Sequence, residues 1–162
     1  MAQPARTLPG THQLYTPEQM VRRDSTYWTT VQGVLAPLQF VVFIVSLGLV
    51  LRYLWTGEGY ELATASIILK TLVLYLIMIT GAIWEKVVFG QYLLAPAFFW
   101  EDVVSFLVIA LHTAYLVALS TGWMSPEQLM ALTLAAYLAY VINAGQFVLK
   151  LRRARLQMQA DA

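Results

Sequence analysis

The chain of 162 residues contains no cysteine. That excludes disulfides, a thiolate nucleophile and a thiolate metal site, and leaves the redox compartment unreadable. Charge is also scarce: 12% of residues are Asp, Glu, Lys or Arg, against about 25% in a soluble domain. A net charge of +1 provides no basic field for nucleic acid. There are two histidines, one of them in the polar N-terminal stretch, too few for a di-metal or redox-metal centre. The chain has no GxSxG, no HExxH and no Gly-rich phosphate loop. No long repeat or low-complexity tract is present, and the first thirty residues are too polar for a signal peptide.

What the chain has is apolar sequence: 59% of residues are hydrophobic, arranged in long runs, and the mean hydropathy is +0.64. This predicts an integral membrane protein of one domain. Residues 1–14 read as disordered. Thr16-Pro17-Glu18-Gln19 has the form of a helix start, with Thr16 as N-cap and Gln19 closing a capping box. The interfacial helix that follows carries Arg22, Arg23 and Asp24, then Tyr27 and Trp28. Four spans are expected at about 34–54, 63–89, 100–119 and 126–149, with a tail over 156–162. Ser125-Pro126-Glu127-Gln128 repeats the capping pattern at the fourth. The fold class is therefore all-α: a polytopic membrane protein, a four-helix bundle over 15–155 with an N-terminal interfacial helix. Lys and Arg gather on the side of the termini, which puts both termini and the 84–102 connection in the cytoplasm.

The connection from Trp84 to Asp102, WEKVVFGQYLLAPAFFWED, holds four of the chain's nineteen formal charges among dense aromatics. Gln32 and Gln39, Glu85 and Lys86, Glu101 and Asp102, and Asn143 and Gln146 all fall toward this end of their spans. Gln32, Gln39, Ser46 and Tyr53 form one stripe, and Glu101, Ser105, His112 and Tyr115 form another. Tyr140, Asn143, Gln146 and Lys150 form a third. Such stripes face a bundle interior, because lipid cannot satisfy them. Most of these amides read as interhelical glue, and the arginines as positive-inside anchors. Lys70 is expected to snorkel outward or to pair with Glu61. Three acids at one hairpin are harder to set aside: Glu85, Glu101 and Asp102 need partners or a task, and Lys86 can offset one of them. Carboxyl groups in unlike settings, beside an apolar cavity between four helices, suit acid–base chemistry on an amphiphilic ring. A carboxylate on that ring would meet Arg22, Arg23 or Lys86.

Four stretches carry a family likeness: YTPEQMVRRDSTYWTTVQGVLAPLQFVVFIVSL, ATASIILKTLVLYLIMITGAIWEKVVFGQYLLAPAFFWEDVVS, LHTAYL and INAGQFVLKLR. Over about residues 14–155 they resemble the 3-vinyl bacteriochlorophyllide hydratases of bacteriochlorophyll biosynthesis, with WEKVVFGQY…APAFFWED the specific part. The resemblance implies a hydro-lyase adding water across the C3 vinyl group of chlorophyllide a, or its bacteriochlorin analogue, to give the 3-(1-hydroxyethyl) product. No cofactor is implied. Expected partners are the chlorophyllide, the bilayer and neighbouring pigment enzymes. The expected location is the inner or intracytoplasmic membrane of a phototrophic bacterium, with the site on the cytoplasmic side. Such chemistry needs one neutral and one ionised group, so Glu101 or Glu85 would give the proton and Asp102 or the other Glu would activate water. His112 is a candidate axial ligand to the substrate's magnesium, although roughly 16 Å of helix separates it from Glu101. Substrate contacts are expected from His112, Arg22, Arg23, Lys86, Gln39, Tyr92, Trp100, Asn143 and Gln146. The competing readings are a non-catalytic pigment-binding or assembly subunit, and a small transporter, for which the outer half lacks a polar path.

Overall fold

The computed structural model describes residues 13–160 and 162. The disorder expected over 1–14 thus falls largely outside the described residues. Five α-helices run in order: α1 Pro17–Ser25, α2 Tyr27–Thr56, α3 Tyr60–Phe89, α4 Phe99–Thr121 and α5 Pro126–Ala160. A single 3-10 turn, Pro96–Phe98, precedes α4. The four long helices are each apolar and long enough to cross a membrane.

The helix ends follow from local chemistry. The Thr16 hydroxyl accepts from the Gln19 N–H at 3.2 Å, and the Gln19 side chain accepts from the Thr16 N–H at 2.9 Å. Ser125 and Gln128 repeat this reciprocal cap at the start of α5, at 3.2 and 2.9 Å. Gly57 (φ 74°) closes α2 in the left-handed region that glycine enters without a Cβ clash. Two boundaries differ from the sequence expectation. The interfacial helix stops at Ser25, because Thr26 is extended (φ −91°, ψ 136°) and caps the next helix; Tyr27 and Trp28 belong to the first span. The fourth helix does not end near Lys150 but continues to Ala160, so most of the expected tail is helical.

Side-chain hydrogen bonds fix the packing. Gln32 donates to Thr80 Oγ1 at 2.7 Å and Trp84 Nε1 to Thr29 Oγ1 at 2.9 Å, while Ser46 meets Ser66 at 2.7 Å further along. These pairs make α2 and α3 an antiparallel hairpin. Ser105 donates to Asn143 Oδ1 at 2.9 Å, joining α4 to α5 in the same manner. The start of α2, the end of α3, the start of α4 and the late part of α5 therefore share one end of the bundle. The 57–59 and 122–125 turns lie at the other. Exposed aromatics mark both ends, Tyr27, Tyr92 and Trp100 at one and Trp55 and Trp123 at the other, as interfacial belts do.

Among the described residues, side chains pack into the space where the apolar cavity is expected. Phe43 packs its ring 5.3 Å from Tyr137 and 4.9 Å from Tyr140, with Val50, Tyr115 and Met130 buried in the same core. Lys70 also departs from expectation. It neither snorkels nor meets Glu61; it is fully buried, with its Nζ 3.7 Å above the Tyr140 ring. An unbranched stem on an inward-facing helix position follows the core, and the ring's π face receives the charge.

Candidate active site

Glu85 lies in the last turns of α3 and Asp102 in the first turn of α4. The chain between them is shaped to fold over both. Gly90 (φ 87°) ends α3, its N–H donating to the Lys86 carbonyl at 3.0 Å. The chain then runs back across the bundle end to Leu94, which holds a left-handed φ of 60°, rare for a residue with a branched side chain. Pro96 opens the 3-10 turn that leads into α4. This path aims two successive backbone amides inward. The Leu94 N–H donates to Asp102 Oδ2 at 2.7 Å, and the Ala95 N–H to Glu85 Oε2 at 3.3 Å. Two successive amides thus hold the two carboxyl groups, one each, at the same end of the bundle. Both are buried, Glu85 at 5% exposure and Asp102 at 2%.

The third acid is partnered differently. Glu101 Oε2 accepts from Lys150 Nζ at 2.6 Å, and Lys150 also donates to the Ala97 carbonyl at 2.5 Å. Asn143 Nδ2 donates to the Glu101 backbone carbonyl at 2.8 Å and to Gln146 Oε1 at 3.3 Å. Ser105 donates to the same Glu101 carbonyl at 2.8 Å. An aromatic cluster lies alongside: the Phe98 ring centroid is 5.7 to 5.8 Å from those of Trp84, Phe89 and Phe147. Tyr15 stacks on Phe89 at 5.8 Å, which docks the segment before α1 against this end. Burial pushes the Tyr15 phenol above its usual range, and the Arg23 guanidinium, 4.7 Å from its ring, opposes that in part.

The expected site residues thus separate into groups. Glu85, Asp102, Glu101, Asn143 and Gln146 converge at one end. Lys86 does not join them; it is exposed, donates to the Gly90 carbonyl at 2.8 Å and lies 5.4 Å from the Tyr92 ring. The lysine that neutralises an acid is Lys150. Sequence spacing put Lys150 on the right stripe but gave no reason to pair it with Glu101. Arg22 is exposed on α1, and Arg23 pairs with Asp24 at 2.8 Å. Tyr92 and Trp100 face outward, at 60% and 68% exposure. Gln39 and His112 are buried deeper in the bundle. His112 Nδ1 bonds the Val108 carbonyl at 2.8 Å, its ring is 5.8 Å from that of Tyr137, and its Nε2 has no partner among the described residues. The amides of Leu94 and Ala95 carry no sequence signal, because any residue but proline supplies an N–H.

Two concavities open at this end. An apolar groove of about 500 Å³ runs between α2 and α3, lined by Tyr27, Val31, Val34, Leu35, Leu76 and Thr80. A cleft of about 330 Å³ lies between α5 and the N-terminal segment, with Glu101 and Lys150 in its wall. Among the described residues no group of three or more His, Cys, Asp or Glu is arranged to hold a metal ion.

A protein-family model described as 2-vinyl bacteriochlorophyllide hydratase matches residues 15–153. The chain belongs to this family. Two curated relatives bear the same name. One, from Cereibacter sphaeroides, is 69% identical over 159 residues, covering 98% of each chain. The other, from Rhodobacter capsulatus, is 67% identical over 154 residues, covering 94% of this chain and 89% of that protein. No solved structure matches. The matched region of the family takes in the 84–102 connection and all the acids at the bundle end.

Proposed function

We propose that the chain is a membrane-embedded hydratase that adds water across the vinyl group of a chlorophyllide-type macrocycle, with Glu85 and Asp102 as its acid–base pair. The position called 2 in the relatives' name is, in current macrocycle numbering, C3. Family membership supports the reaction. The observation that carries the residue assignment is that two buried carboxyl groups, Asp102 and Glu85, are held by the successive amides of Leu94 and Ala95.

Vinyl hydration needs a proton on the terminal carbon, which leaves a cation next to the ring, shared with its π system. Water then adds to the inner carbon and loses a proton. Two carboxyl groups in contact can hold one proton between them, so one serves as acid and the other as base. The acid gives its proton to the terminal carbon, and the partner carboxylate accepts a proton from the attacking water. The vinyl group has become 1-hydroxyethyl, and a proton crossing back between the carboxyls resets the pair. Each carboxyl keeps one oxygen that no backbone amide engages among the described residues. Glu101 suits neither role as well, because Lys150 holds it as an ion pair at 2.6 Å. Gln146 and Lys150 line the cleft beside Glu101. The positive-inside pattern supports a cytoplasmic location for this end and the termini.

The test is hydration of vinyl chlorophyllide by purified Glu85→Gln and Asp102→Asn proteins. Each is expected to lose at least about a hundredfold in turnover while keeping its thermal midpoint. Near-normal turnover in both would place the chemistry elsewhere. In deuterated water the product methyl group is expected to carry one deuterium; none there would refute terminal-carbon protonation.

A further inference from the structure

The cleft beside Glu101 has a chemistry that the proposed acid–base pair does not use. Its wall includes Leu14, Glu101, Gln146, Lys150, Arg153 and Gln157. Arg153 is one helical turn beyond Lys150 on α5, so their side chains share a face. Two positive charges and one negative leave the cleft with one net positive charge. Lys150 uses two of its donors on Glu101 and on the Ala97 carbonyl. Arg153 is exposed and has no hydrogen-bond or ion-pair partner among the described residues. Its planar fork matches a carboxylate with two parallel N–H donors.

Position adds to this. At about 1.5 Å per residue, the 35 residues of α5 extend roughly 52 Å, against a hydrocarbon core of about 30 Å. The part of α5 after Lys150 therefore stands beyond the membrane's apolar interior, where an anion keeps its hydration. Glu101, in the wall of the cleft, shares the first turn of α4 with Asp102, so the basic mouth and the carboxyl pair lie at the same end of the bundle.

We infer that this cleft binds the free carboxylate arm of the macrocyclic substrate, with Arg153 as the residue that distinguishes the acid from its esters. The inference rests on the proposed hydratase reading. The ring lies toward the apolar side and the vinyl group toward Glu85 and Asp102. The carboxylate remains at the water boundary against Arg153, with the unused Lys150 donor beside it. Glu101 sits in the same wall, and its charge is already balanced by Lys150. An esterified macrocycle loses the ion pair and must place an uncharged group beside an exposed guanidinium.

The experiment compares the vinyl substrate as free acid and as methyl ester, in wild type, Arg153→Gln and Arg155→Gln proteins. Hydration is followed by product mass, and binding by the pigment's absorption shift on titration. For the free acid, Arg153→Gln is expected to raise KM and Kd about tenfold, which is about 1.4 kcal/mol. kcat is expected to hold, and the ester constants not to change. Arg155→Gln, outside the cleft, is expected to match wild type for both. In wild type the acid's advantage should shrink with added salt, as for an ion pair at the water boundary. Equal effects of Arg153→Gln on acid and ester, or no effect on either, would overturn the inference. Discrimination in binding with no hydrated product would instead overturn the hydratase reading and leave the carboxylate cleft standing. Hydration without discrimination would do the reverse.

Discussion

Lys70 is the residue whose placement least resembles what its chemistry would choose in water. Its ammonium is buried, faces the Tyr140 ring at 3.7 Å and has no hydrogen-bond partner among the described residues. A buried donor without a partner costs about 1–3 kcal/mol, and a cation–π contact offsets only part of that. Lys70→Met keeps the volume and removes the charge. It is expected to raise the thermal midpoint in detergent; a lower midpoint would mean that the charge is satisfied in the folded protein. Hydration is expected to be retained, because Lys70 lies fifteen residues, roughly 22 Å of helix, from Glu85. The acids themselves were legible from sequence, since charge is rare in this chain and three acids gather in one connection. Which two of them meet was not. That depends on how α3 and α4 are rotated, and on amides of Leu94 and Ala95 that any sequence would supply. Lys150 escaped for a related reason, because its pairing with Glu101 joins elements 49 residues apart.

At the scale of elements, hydropathy marked all four spans, and both capping boxes appeared where their residues predicted. Boundaries set by a single backbone conformation were less visible. Nothing in the composition of Thr26 requires it to leave the helix, and the polar run after Lys150 gives no apolar reason to remain in one. The segment before α1 is held by Tyr15, buried against Phe89, and this gives a pH prediction. Its phenol titrates above its usual value of 10.0 in the folded protein, so the folded state retains a proton that the unfolded state releases. Docking is therefore fully stabilised below pH 10 and weakens as pH rises through the folded-state value. Limited proteolysis after residue 15 should accelerate above about pH 10 in wild type. Tyr15→Phe should show no such step, and a step persisting in that variant would assign it to another group. The 91–95 run offers a second test. Leu94→Gly suits the left-handed φ and keeps the N–H, so turnover should stay near normal. Leu94→Pro can adopt neither that φ nor the hydrogen bond to Asp102, so turnover should fall more steeply than the thermal midpoint. Equal activity in the two variants would show that the amide to Asp102 has no part in the reaction.

Over the whole molecule, two antiparallel hairpins, α2 with α3 and α4 with α5, enclose a filled core and put the candidate chemistry at one end. The bundle and its polar stripes could be read from periodicity, because lipid enforces the separation of faces. The density of the interior could not be, since it depends on how Phe43, Tyr137 and Tyr140 interlock across two helices. That density bears on how an amphiphile travels. With aromatic side chains interlocked across the middle of the bundle, a pigment whose charged arm stays in water is expected to reach the acids from the leaflet at their end and to leave into the same leaflet. In vesicles holding the protein in a single orientation, substrate supplied to the leaflet at the α1 end should be hydrated at once. Substrate in the opposite leaflet should wait on its own flip-flop, and the delay between the two would measure the lipid rather than the enzyme.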